Sequence, residues 1–118
     1  MDRLRTRLFL KFPDGRLQPS DLEIELPQRF NGFPGKPLAA DHRPVYQAIA
    51  HFPGVLDAES FAFRSWSTLE AMIGVMASVR AFWKDFEKAG GKVFLAMADD
   101  ADVPNLDEPV RIKDFFVL

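Results

Sequence analysis

The 118-residue chain contains no cysteine, which excludes a disulfide scaffold and a thiol nucleophile. Imidazole is scarce as well, with His42 and His51 the only two histidines. The seven glycines are scattered, and none belongs to a dinucleotide fingerprint, a P-loop or a nucleophile elbow. The zinc-protease pattern H-E-x-x-H is missing too. An excess of one charge is also lacking: 15 basic against 17 acidic side chains leave −2, so no global basic field invites nucleic acid. No apolar run approaches the ~20 residues a membrane helix needs. The opening residues, Met1 to Arg7, show no secretory apolar stretch. These absences predict a single cytoplasmic domain over 1–118, without cofactor or metal.

What is present is apolar and aromatic. Hydrophobic residues make up 47% of the chain, enough for a core that needs no staples. Leu8, Leu10 and Phe12 alternate with Arg7, Phe9 and Lys11, and Leu22, Ile24 and Leu26 alternate with Asp21, Glu23 and Glu25. Period two marks half-buried strands, and the turn Pro13-Asp14-Gly15 between them predicts a hairpin. Its basic outer face opposite an acidic one favours antiparallel pairing. Residues 27–44 carry so many prolines and glycines that an ordered loop lying across the core is expected, with no regular structure. Val45, Ile49 and Phe52 share a helical face, which predicts a short helix over about 44–52. Phe61 and Phe63 suggest a strand over about 60–65.

The strongest helical signal follows. Ser67-Thr68-Leu69-Glu70 has the form of a capping box, and Leu69, Met72, Ile73, Met76, Val79, Trp83 and Phe86 recur at 3/4 spacing. Gly90-Gly91 closes a helix of about 67–89. A strand over about 93–98, an acidic loop over 99–108, alternation at Val110 and Ile112 and an apolar end at Phe115-Phe116-Val117-Leu118 complete the chain. That end reads as a final strand or a segment pinned to the core. The fold class is α+β: an antiparallel sheet of four to five strands with the long helix across a face.

The residues offer little catalytic chemistry. Nine residues apart on a helix, His42 and His51 would point to opposite sides, a poor geometry for a shared metal, and neither has a serine or cysteine neighbour to activate. The acidic loop gathers Asp99, Asp100, Asp102, Asp107 and Glu108, yet Pro104 interrupts it and no glycine supplies a calcium-loop turn. Its other reading is a surface for a basic partner, steered by charge. On the helix, Ala71, Gly74, Ala77, Ser78 and Ala81 form a small face opposite the bulky stripe. Gly74 costs ~1 kcal/mol against alanine there, which argues that Ala71, Gly74 and Ser78 are covered by residues 27–56 or by a second copy.

Phe61-Ala62-Phe63, Ser67-Thr68-Leu69-Glu70-Ala71-Met72, the apolar helix and Gly90-Gly91 before an apolar strand resemble an uncharacterised family of small bacterial α+β domains. The likeness covers about residues 60–96 and implies a fold without an activity. In general type the chain is also similar to the immunity proteins of bacterial toxin systems, which are small, slightly acidic and free of motifs. The expected function is a non-enzymatic protein-binding module of immunity or inhibitor type that occludes a basic toxin or effector. Two alternatives stand beside it. One is a ligand-binding or enzymatic domain with a pocket between helix and sheet using His42, His51 or Tyr46, and the other a structural homodimer subunit.

Overall fold

The computed structural model describes residues 3–56 and 60–112. Two long strands, β1 (Arg3–Lys11) and β2 (Leu17–Phe30), form the expected hairpin. Its turn is closed by the Phe12 N–H donating to the Arg16 carbonyl at 2.8 Å, with Gly15 at φ 91. Register places Arg3 opposite Glu25, Arg5 opposite Glu23 and Arg7 opposite Asp21. The opposite charges anticipated from alternation therefore face one another.

After a two-residue ladder of β3 (Gly32–Phe33) and β4 (Lys36–Pro37), the chain enters β5 (Val45–His51) and β6 (Phe61–Ser65). Helix α1 (Thr68–Lys88) follows, then β7 (Lys92–Met97) and β8 (Asp100–Pro104). The sheet has six strands in the order β6-β5-β2-β1-β7-β8, all pairs antiparallel. The class is α+β, with a larger sheet than expected and a single long helix among the described residues.

Four expectations are corrected. Residues 44–52 form a strand, not a short helix, because β5 is an interior strand between β2 and β6. Its Ala48 and Ala50 are fully buried, and small side chains there let α1 approach the sheet. The segment 27–44 does not cross the core. β2 continues through Pro27 by a bulge between Glu25 and Gln28, where a residue without an N–H interrupts the ladder. Phe30 and Phe33 then meet edge to face at 5.2 Å, and Phe33 stays exposed. Third, part of the acidic segment is not loop, since Asp100–Pro104 pairs with β7. Val110 and Ile112 do not form the fifth strand; they pack against the core beside the helix end. The apolar end at Phe115–Leu118 lies outside the described residues.

The helix ends as its sequence dictates. The Ser67 hydroxyl accepts the Glu70 N–H at 3.1 Å, while Glu70 does not reach back but accepts the Ser65 hydroxyl at 2.7 Å. At the other end the Gly91 N–H donates to the Phe86 carbonyl and the Gly90 N–H to that of Glu87, a Schellman closure with Gly90 at φ 98. Of the expected stripe Val79 and Trp83 are fully buried, joined by Ala71 and Val75, while Met72, Met76 and Phe86 pack partly buried against the core. These side chains enclose the core with Leu8, Leu10, Leu22, Ile24, Phe52 and Val93. Leu69 and Ile73 turn outward instead, at 68% and 52% exposure.

Candidate functional site

The acidic segment surrounds the edge of the sheet. Asp99 turns β7 into β8, Asp100 and Asp102 lie on β8, and Asp107 and Glu108 follow it. All five are exposed. Local hydrogen bonds shape the segment: the Asp102 N–H donates to Asp100 Oδ1 at 3.0 Å and the Asp107 N–H to Asn105 Oδ1 at 3.2 Å. Both are Asx turns, in which a short side chain replaces a backbone acceptor. Arg7 approaches Asp102 at 3.7 Å, but the aspartate is 91% exposed and solvent screens the pair. The strip thus remains an open source of negative potential.

Beside it lies an apolar surface that alternation alone did not single out. Helix α1 packs on β6, β5 and β2, leaving part of the same face of β1, β7 and β8 uncovered. Strand parity puts Leu4, Leu95 and Met97 on that face, since Leu95 pairs with Leu8 of the core. Leu95, Met97 and Val103 are 43%, 39% and 44% exposed, and Leu4 more so. The run Val93–Met97 looks uniformly core-forming in sequence. Only topology reveals that Val93 is buried at the covered end while Leu95 and Met97 emerge beyond it.

Only part of the small face of the helix, at Ala71 and Gly74, is turned toward the chain's own sheet. Ala71 is fully buried, and Gly74 meets the ring of Phe63 in β6 so closely that an added Cβ would lie 2.1 Å from it. The Ser78 hydroxyl donates to the Gly74 carbonyl at 3.0 Å, within the helix. Ala77 and Ala81 are exposed.

The polar groups considered for catalysis do not converge. Tyr46 packs against the core on the helix side of β5. His51 is on the opposite face, with its Nε2 2.7 Å from Glu25 Oε2. His42 lies in the loop before β5, where its Nδ1–H donates to the Arg43 carbonyl at 2.6 Å. Core side chains fill the space between helix and sheet where a pocket was envisaged. Among the described residues no group of three or more histidine, aspartate or glutamate side chains is placed to hold a metal ion. Among the described residues no helix is long and apolar enough to cross a membrane.

Comparison with protein-family models, with curated proteins and with solved structures finds no match for the chain.

Proposed function

We propose that the chain is a non-enzymatic protein-binding module of immunity or inhibitor type, which docks through β7 and β8 onto a basic protein surface. One juxtaposition carries this reading: exposed Leu95, Met97 and Val103 share the edge hairpin of β7 and β8 with the acidic residues Asp99, Asp100 and Asp102, the last of them turned to the opposite face toward Arg7. Protein interfaces combine an apolar centre with a polar rim, and here the rim has one sign. Carboxylates of like charge accelerate encounter with a basic partner and orient it. The apolar side chains then supply what charge does not, because their burial removes area from water at about 25 cal/mol per Å².

A photoreactive residue at position 103 identifies the partner, with position 16 as control. The purified pair is then followed by stopped-flow association. The on-rate should fall steeply as salt rises, since the Debye length is ~10 Å at 0.1 M. Changing Asp99, Asp100 and Asp102 to Asn should slow association about tenfold at low salt. An unchanged on-rate in the folded variant, or equal cross-linking from position 16, defeats the proposal.

A further inference from the structure

Opposite its buried stripe, α1 presents Glu70, Ile73, Ala77, Ala81 and Lys84, all of them exposed. At 3.6 residues per turn these positions fall within an arc of about 80°, so they form one seam along the helix. Ile73 is 52% exposed and its neighbour Leu69 68%, on a helix that carries no charge between Ala71 and Val79. Glu70 accepts the Ser65 hydroxyl but has no cation partner among the described residues, and Lys84 has no carboxylate partner among them. Within one chain the two are about 21 Å apart along the helix, too far to meet.

The spacing of the seam is symmetric. Ile73 and Glu70 lie four and seven residues before Ala77, and Ala81 and Lys84 lie four and seven residues after it. In two antiparallel copies related by a two-fold axis at Ala77, each residue meets the one equally distant on the other side. Glu70 then faces Lys84, an acid against a base, and does so twice. Ile73 faces Ala81, so a large side chain enters the space that a small one leaves. Ala77 faces itself, and its methyl group lets the two helices approach to about 8 Å. Arg80 lies on the flank of this seam, one turn before Lys84, and adds positive charge toward the same Glu70. A parallel pairing would instead set Glu70 against Glu70 and Lys84 against Lys84.

We propose that α1 pairs antiparallel with α1 of a second copy of this chain, with the two-fold axis at Ala77. The patch is self-complementary in charge and in size, as an isologous contact requires. It is separate from the β7–β8 edge and needs nothing from a docking partner there. One helix pair buries less than the ~1,600 Å² of a standard interface, so the dimer is weak and reversible.

Sedimentation equilibrium of the full chain, carried to millimolar concentration, should show a reversible monomer–dimer equilibrium. Ile73→Glu places a charge in the seam and should leave a folded monomer throughout. Lys84→Glu and Glu70→Lys should each weaken the dimer about tenfold, because each changes two symmetric ion pairs. The double charge reversal should restore wild-type affinity, an outcome that contacts within one chain do not produce. The chain lacks cysteine, so Ala77→Cys introduces a lone thiol at the axis. It should oxidise to a covalent dimer much faster than Arg16→Cys. Should Glu70→Lys weaken the helix itself, this cross-linking rate decides. A monomer at every concentration would overturn the proposal and leave the face to a different protein. A dimer indifferent to Ile73→Glu, a double reversal without recovery, or equal cross-linking from position 16 would each overturn it as well.

Discussion

At Gly74 two opposing residue-scale effects can be compared directly. Alanine is favoured over glycine in a helix interior by about 1 kcal/mol, so Gly74→Ala would stabilise an open helix face. Here a Cβ would lie 2.1 Å from a ring carbon of Phe63, far inside contact distance, and the ring would have to move out of its place against the core. Overpacking of this kind costs about 1–3 kcal/mol and should outweigh the helical gain. Urea unfolding of Gly74→Ala should therefore show a lower midpoint than wild type. A raised midpoint would mean that Phe63 yields freely and that the close approach has no energetic weight. Sequence shows that a glycine in mid-helix needs a reason; it does not show the partner, because Phe63 lies on a strand whose register against the helix is set by β5.

Among the elements, the hairpin was the most legible because two independent signals agreed: alternation fixed its period and charge fixed its pairing. The same pattern predicts a response to acid. The Arg7 guanidinium, hydrogen-bonded to Asp21, holds that carboxyl below its usual value, with Arg5 adding to the effect and partial burial opposing it. A carboxyl lowered on folding contributes stability that is complete above its unfolded pKa, about 3.9, and is lost as pH falls through the lower folded value. Wild type should thus lose stability below about pH 4 more steeply than Asp21→Asn, in which this contribution is already absent. Parallel pH profiles of urea midpoints for the two proteins would contradict the assignment. Residues 44–52 were less legible for a physical reason. Val45, Ile49 and Phe52 satisfy a helical spacing, while Ala48, Ala50 and Phe52 satisfy a strand, and a run this short does not separate the two periods. Pairing with β2 and β6 on either side decides it. In α1 the sequence located the rod but not its rotation. Large residues at Leu69 and Ile73 suggested the buried stripe, whereas the sheet accepts the narrower Ala71 and Val75.

For the whole molecule, the consequence is an uneven distribution of cover over a long sheet. The extents are 54 × 30 × 28 Å and the radius of gyration is 16.3 Å. A compact chain of this length would have about 13.5 Å. One helix crosses β6, β5 and β2, so the core is concentrated there and thins toward β8. The acidic half of the candidate site was legible from the cluster of carboxylates. Its apolar half was not, since only the helix position decides which residues of β7 stay bare. This asymmetry predicts how stability is distributed. Amides in the parts of the sheet paired on both sides, Leu8–Lys11 of β1, Glu23–Glu25 of β2 and most of β5, should exchange only through global unfolding. β8 pairs on one side through an irregular register and contributes no side chain to the buried core, while β3 and β4 hold a ladder of two residues each. Their opening free energies should lie on the order of 2 kcal/mol or more below the global value. Native-state hydrogen exchange measured by mass spectrometry or NMR checks this. If β8 exchanged as slowly as β1, the edge would be a rigid part of the core. If it exchanges early, a partner that pairs with its charges and covers Leu95, Met97 and Val103 would gain affinity while losing some to the ordering of that edge. The bound complex should then protect β8 most and β2 least, relative to the free chain.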